Sequence, residues 1–453
     1  MCGVNGMFEK FSFTSLDEIE SRAAELGVRL HLSKDLSALG ESADIGGRTA
    51  PNRILYQPME GCDGTAGGAP SEDTVRRYIR LAHGGAGVIW AEATAVAPEG
   101  RANPRQLYIT EDNLGEFSAL AEAIKKTCRD ANGYEPLVIL QLTHSGRYSK
   151  PNGVPEPLIA YNDPIFEQGT PIDKSRILSD DYLAALAPKF GVSAALAQRA
   201  GFDGADIKCC HRYLLSETMS AFTRPGKYGG SYENRTRLYF DAVRAAKAAV
   251  TGNFIITSRF NAYDGFEYPY GFGVKEGCGL EFDPAEAVKT ASILTGEFGM
   301  KLLNVTAGNP YFNPHVNRPY DRGGYIPDEN PLRGVERITG AAAEIHRQLP
   351  QLNVACSGIS YLREFSPYLA AGMVGGGFSQ FAGFGRMSLA YPDLARDILT
   401  KGALDPKKCC LTCSRCTELM RMGCISGCVV RDSAKYAPIY AAARAAAERA
   451  KIK

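Results

Sequence analysis

Short runs of β-branched and apolar residues recur along the chain, and most are followed by a stretch whose apolar positions have helical spacing. The runs are Ile54 to Gln57, Gly87 to Ala91, Leu137 to Leu142, Ala205 to Ile207, Phe254 to Phe260, Leu302 to Val305, Val354 to Cys356 and Phe378 to Phe381. Helical spacing marks Ser71 to Leu81, Leu114 to Cys128, Asp180 to Ala200, Glu233 to Val250, Pro284 to Phe298, Gly334 to Leu349 and Tyr361 to Ala371. Strand and helix alternating through eight units predict an α/β fold, a closed (β/α)8 barrel. The barrel is expected over residues 46–403, after an N-terminal extension over residues 1–45. Residues 404–453 read as a cysteine-rich segment ending in an Ala-rich basic helix, Ala434 to Lys451.

A formal charge of +1 over 453 residues gives no global reason to expect nucleic acid or an anionic membrane as partner, which leaves small-molecule chemistry. The uncharged stretch Phe365 to Gly385 carries six glycines with Ser366, Ser379 and Gln380, too polar and helix-poor to span a bilayer. Met1 to Gly6 lacks the basic and apolar regions of a leader, and cysteines are scattered through the body, so a cytoplasmic setting is expected.

Six of the thirteen cysteines fall between Cys409 and Cys428. Thiolates crowded in this way suit an iron–sulfur cluster or a zinc ion, and the residues alone leave the two open.

In a (β/α)8 barrel, the loops after strands seven and eight commonly hold a phosphate on backbone N–H groups. Here those loops contain Cys356-Ser357-Gly358 and Gly383-Phe384-Gly385-Arg386. Arg259 ends the fifth apolar run, where it reads either as half of a structural salt bridge or as a ligand for a cofactor oxygen. Gln141, at the end of the third run, offers a paired donor and acceptor to a ring edge. After the fourth run, Lys208, His211 and Tyr213 place a cation, an imidazole and a phenol at the catalytic rim, able to hold a carbonyl oxygen and deliver a proton. The aromatic, Gly-rich stretch Asn261 to Glu281 reads equally as pocket lining or as rim packing.

Several long motifs, in order, resemble the Old Yellow Enzyme family of FMN-dependent oxidoreductases. They are Asn52-Arg53-Ile54-Leu55-Tyr56-Gln57-Pro58-Met59, Gln141-Leu142-Thr143-His144-Ser145-Gly146-Arg147, Gly201-Phe202-Asp203-Gly204-Ala205-Asp206-Ile207, Tyr228-Gly229-Gly230-Ser231-Tyr232-Glu233-Asn234-Arg235 and Gly383-Phe384-Gly385-Arg386. With the cysteines, the likeness is to the iron–sulfur branch typified by 2,4-dienoyl-CoA reductase and trimethylamine dehydrogenase. The resemblance implies that Pro58, Met59 and Ala93 touch the flavin ring, Gln141 its pyrimidine edge and Arg259 its N1/O2 side. It implies that Gly358, Gly385 and Arg386 hold the FMN phosphate, and that Cys410, Cys413, Cys416 and Cys428 hold a [4Fe–4S] cluster, with Cys409 and Cys424 as competing ligands. Glu60 stands where many relatives have Thr or Cys, and Lys208 where many have His.

The implied reaction is ene reduction: hydride passes to the β-carbon of an α,β-unsaturated carbonyl compound, Tyr213 protonates the α-carbon, and Lys208 and His211 steady the oxygen. An amine dehydrogenase or demethylase, or an electron-transfer module, is the alternative. Only 25 residues follow Cys428 and no G-x-G-x-x-G occurs, so electrons are expected from a separate donor protein or directly from NAD(P)H. A homo-oligomer is compatible with the sequence.

Overall fold

The computed structural model describes residues 7–452; Met1 to Gly6, where the absence of a leader pattern is read, lies outside the described residues. Eight parallel strands close into a barrel: β1 (Ile54–Tyr56), β2 (Val88–Ala95), β3 (Leu137–Thr143), β4 (Gly204–Ile207), β5 (Ile255–Asn261), β6 (Leu302–Thr306), β7 (Asn353–Cys356) and β8 (Phe381–Phe384). Each pairs with its neighbour in chain order, and β8 returns to β1 through Ala382↔Ile54. The helices between them include α1 (Glu72–His83), α2 (Leu114–Asn132), α3 (Asp180–Arg199), α4 (Tyr232–Ala249), α5 (Pro284–Gly296), α6 (Pro331–Gln348) and α7 (Ser366–Gly375). Side-chain caps start several of them, such as Ser71 on α1, Ser179 on α3 and Ser231 on α4. Among the described residues no helix is long and apolar enough to cross a membrane.

Alternation along the strands separates two cores. Ile89, Val138, Leu140, Ala205, Ile256, Leu303 and Val354 face outward into the large core shared with the helices, whereas Leu55, Val88, Trp90, Ile139, Ile255, Leu302 and Phe381 fill the barrel interior. Two residues further along the same inward rows the chemistry changes: Leu55 gives way to Gln57, Ile139 to Gln141, Gly204 to Asp206, Leu302 to Asn304 and Ala355 to Ser357. The apolar layer seals the bottom and a buried polar layer underlies the C-terminal rim. That polar layer is paired, as burial demands: Gln57 and Asn304 exchange two amide hydrogen bonds of 3.0 and 2.9 Å.

The eighth strand departs from expectation. Phe378 is not its first residue; its N–H bonds Met373 O in the turn closing α7, and the strand begins three residues later. Tyr361 to Ala371 is likewise divided, with a 3-10 segment, Ile359–Phe365, broken at Arg363 before α7 starts. The aromatic stretch after β5 forms a short hairpin, Val274–Lys275 with Cys278–Phe282, and its Phe266 packs edge-on against Phe166 and Phe312. It covers the rim.

The cysteine-rich segment is fastened across the barrel mouth. Arg76 and Arg80 of α1 both grip Asp432, Lys435 pairs with Asp73, and Ser426 N–H bonds Gly61 O at 2.7 Å. It carries α8 (Arg415–Arg421) and α9 (Ser433–Ile452).

Candidate active site

The rim positions expected to carry chemistry come from separate strands and meet above the polar layer. Gln141 is fixed by its neighbour: its amide donates to Asp206 at 2.6 Å, and Asp206 also accepts from Trp90 Nε1 and from the Arg259 backbone N–H. This leaves the amide oxygen of Gln141 to face outward. Burial raises Asp206 to about 6 despite those three donors. Pro58 is buried behind the half-buried Met59, and Ala93 sits in a register shift of β2 between Ala91 and Thr94, a bulge that re-aims the strand at the rim.

One pocket is lined by Gln57, Met59, Arg259, Arg318, Ser357, Gly358, Gly385 and Arg386, among others. Gly358 has φ +83°, and a Cβ there would come within 2.6 Å of Ile338; at Gly385 a Cβ would meet Met59 Sδ at 3.2 Å. Both positions line the pocket with bare backbone, and packing against Ile338 and Met59 leaves little room for a side chain at either. The Nε atoms of Arg259, Arg318 and Arg386 are buried without a hydrogen-bond partner, and none of the three forms an ion pair with a carboxylate among the described residues. Burial lowers the pKa of all three. Arg318 donates to Ser414 Oγ at 3.1 Å and to Thr417 Oγ1 at 3.4 Å, and three guanidinium groups held together without a carboxylate form a cradle suited to an anion with several oxygens. Arg318 was not singled out from the sequence; it follows a short helix, Pro314–Asn317, in an aperiodic loop after β6.

Beside this cradle the chain after β4 takes two successive left-handed steps, φ +64° at His211 and +60° at Arg212. Arg212 enforces them. It is fully buried, ion-paired to Asp163 and Asp264, and hydrogen-bonded to Tyr161 at 2.8 Å. The turn lays Lys208 Nζ over the Tyr213 ring, 3.5 Å from its centroid. The Tyr213 hydroxyl is 2.8 Å from that of Tyr311, whose ring stacks on Tyr148 at 4.0 Å. Lys208, His211 and Tyr213 are all buried; burial lowers the first two and raises the third. His211 Nε2 accepts from Asn317 Nδ2 at 3.0 Å, so its Nδ1 is the nitrogen left for a ligand.

A cavity of about 700 Å³ opens beside these groups, lined by Glu60, Cys62, Asn103, Tyr148, Tyr311 and, from the cysteine-rich segment, Thr417 and Met420 to Gly423. Glu60 is oriented by Asn103 Nδ2 at 2.8 Å, and burial raises its pKa against the pull of Lys208.

Residues 40–273 match the family described as NADH:flavin oxidoreductase / NADH oxidase, just over half of the chain. The chain belongs to this family. It is 28% identical over 400 residues to an NADH oxidase of Thermoanaerobacter brockii, covering 86% of this chain and 53% of the oxidase. The chain thus spans about half the length of that relative. The fold matches a 2-naphthoyl-CoA reductase complex at a TM-score of 0.71, with 18% identity over 87% of this chain and 57% of that one. It also matches an old yellow enzyme homologue of Zymomonas mobilis at 0.61, with 21% identity over 82% and 94%. FMN is the cofactor of this family, and the residues present fit it: the bare glycines and uncompensated guanidinium groups suit its phosphate, and the outward oxygen of Gln141 suits a ring N–H.

Four cysteines, Cys410, Cys413, Cys416 and Cys428, line a second small cavity; Cys409 and Cys424 do not. The Cys409 thiol instead faces Asp405 O at 3.4 Å and that of Cys424 faces Met422 O. Thr412 and Ser414 adopt left-handed φ of +48° and +61°, which tightens the loop around the four sulfurs. Backbone N–H groups of Thr412 and Arg431 point at Cys410 and Cys428 Sγ, at 3.4 and 3.3 Å. Among the described residues no three His, Cys, Asp or Glu side chains are drawn close enough to grip a single ion as they stand. Arg386 lines this cavity and the anion pocket alike.

Proposed function

We propose that this chain is an FMN-dependent ene reductase acting on an α,β-unsaturated carbonyl compound. The observation that carries the reading is the pairing of a buried phenol, Tyr213, with a buried cation, Lys208, beside an anion cradle suited to FMN. Pro58, Met59, Ala93 and Gln141 would seat the flavin ring, Arg259 would face its N1/O2 side, and Gly358, Gly385, Arg386 and Arg318 would take its phosphate. Bound FMN supplies a hydride at N5. The protein's own part is to hold the substrate oxygen on Lys208 and on Nδ1 of His211, where negative charge grows as the double bond is reduced. Tyr213 gives its phenolic proton to the α-carbon. Its raised pKa keeps that proton in place at neutral pH.

Cys410, Cys413, Cys416 and Cys428 would hold a [4Fe–4S] cluster, whose chemistry is one-electron transfer. Electrons then come from a separate donor protein, with NAD(P)H as the direct alternative. Support for the cage lies in four sulfurs around one cavity, and for the coupling in Arg386, which borders both sites.

A second reading, an amine dehydrogenase or demethylase, has Glu60 in its favour, since a carboxylate in the cavity wall would attract an ammonium group. Lys208 opposes it by like-charge repulsion. Anaerobic mixing of dithionite-reduced protein with a panel of enones, and of oxidised protein with amines, separates the readings. Flavin reoxidation by an enone that slows at least ~100-fold in Tyr213→Phe is expected; an unchanged rate removes Tyr213 from the chemistry.

A further inference from the structure

Tyr213 cannot recover a proton directly from solvent. It is 2% exposed, and Lys208 covers the face of its ring, with Nζ lying over the centroid and not at the hydroxyl. The one hydroxyl bonded to it is that of Tyr311, 2.8 Å away. Tyr311 comes from the loop after β6, lines the 700 Å³ cavity and is 37% exposed. Its ring is clamped on Tyr148, whose own hydroxyl is occupied by Asn309 Nδ2 at 2.6 Å, so the stack fixes Tyr311 without competing for its proton. Glu60 and Cys62 line the same cavity wall.

We propose that Tyr311 is the relay through which Tyr213 is reprotonated from cavity water after each turnover. The inference rests on Tyr213 being the acid of an ene reductase. In the reductive step the Tyr213 O–H bond breaks and an α-carbon C–H bond forms. The resulting phenolate takes the proton of the Tyr311 hydroxyl, and Tyr311 takes one from water, which is replenished from bulk. One proton moves inward per alkene, and the hydride comes from the reduced flavin. The two hydroxyls lie 2.8 Å apart and either can donate, so once Tyr213 has given up its proton the Tyr311 O–H is in place to donate to the phenolate. Lys208 is the competing proton source, but nothing places Nζ on the phenolic oxygen.

The test separates the first turnover from later ones. In Tyr311→Phe the ring and its stacking stay, and Tyr213 still carries its own proton. With saturating dithionite as reductant and an enone as oxidant, Tyr311→Phe should keep a full-rate burst of one product per site. Steady turnover should then fall at least ~10-fold, with unchanged enone affinity and an enlarged solvent deuterium isotope effect. Burst and steady rate slowed together, or a loss confined to enone affinity, would mean a packing role and overturn the relay. So would a wild-type steady rate. Tyr213→Phe is the companion: a wild-type burst there sinks the ene-reductase acid itself, whereas a lost burst with an unaffected Tyr311→Phe sinks only the relay. A readout free of turnover is the resonance of Tyr213 in protein carrying tyrosine labelled with 13C at Cζ, identified by its loss in Tyr213→Phe. It should move in Tyr311→Phe, and a stationary signal would show that the two hydroxyls are not bonded.

Discussion

Arg259→Met should make the flavin-free protein more stable and its grip on FMN weaker, a pair of opposite signs that a structural arginine cannot produce. Arg259 is 9% exposed, its Nε has no partner, and Arg386 adds a second positive charge nearby. An uncompensated buried charge costs several kcal/mol, part of which methionine relieves while filling a similar volume, so flavin-free protein should gain about 1–3 kcal/mol. For a chain of this size that is a rise in melting temperature of a few degrees. FMN loses a charge-assisted hydrogen bond worth about 1.5–3 kcal/mol, so its Kd should rise roughly 10- to 150-fold. Calorimetry of flavin-free protein gives the first quantity and quenching of flavin fluorescence the second. A flavin-free variant that melts lower while keeping its FMN affinity would show that Arg259 braces the barrel and that the cradle lies elsewhere.

Replacing Cys410, Cys413, Cys416 or Cys428 singly with Ser should abolish a full complement of four iron and four sulfide per chain, whereas the same change at Cys409 or Cys424 should leave it, as iron and acid-labile sulfide analysis would show. Burial drives His144 down to about 4, so between pH 6.5 and 4 the unfolded chain binds a proton that the folded one refuses. Its stabilisation is therefore complete above 6.5 and lost as pH falls toward 4, by on the order of 2–3 kcal/mol, and His144→Asn should flatten that acid limb in urea unfolding curves. Arg212→Met leaves Asp163 and Asp264 buried without their cation and should cost about 3–5 kcal/mol by denaturant unfolding.

The barrel was legible because each strand's inward and outward rows carry their own signature, and seven of eight strands lie within a few residues of where the runs of apolar residues put them. The eighth slipped because Phe378 has the character of a strand residue but is used to close α7. The rim positions of Gln141, Arg259 and Arg386 were readable, since the first two lie near the ends of the third and fifth apolar runs and the last follows the eighth, and those runs became strands β3, β5 and β8. Tyr311 and Arg318 were not, because the loop from Thr306 to Pro331 has no period and gains its meaning only when Asn309, Asn313 and Asn317 fold it back onto the rim. Arg212 lay inside a stretch already suspected of chemistry, yet its role is to brace the backbone that presents its neighbours.

The cysteine-rich segment reads in sequence as an attachment, but the fold sets it against the candidate site. Thr417 and Met420 to Gly423 form a wall of the 700 Å³ cavity, and Cys416 lies on the same short helix as Thr417, so whatever the four thiols hold also sets where that wall stands. Arg386 extends the connection inward, bordering the thiol cavity on one side and the anion pocket on the other. Burial lowers its pKa while the neighbouring Cys416 and Cys410 act in the opposite direction, and the guanidinium keeps its charge. On the proposed assignment, a cluster on the cysteines and a phosphate in the neighbouring pocket would share one guanidinium. If the four thiols hold the proposed cluster and Arg386 the FMN phosphate, removing the cluster should change the Kd for FMN measured by quenching of flavin fluorescence, and an unchanged Kd would show that Arg386 does not couple the two pockets.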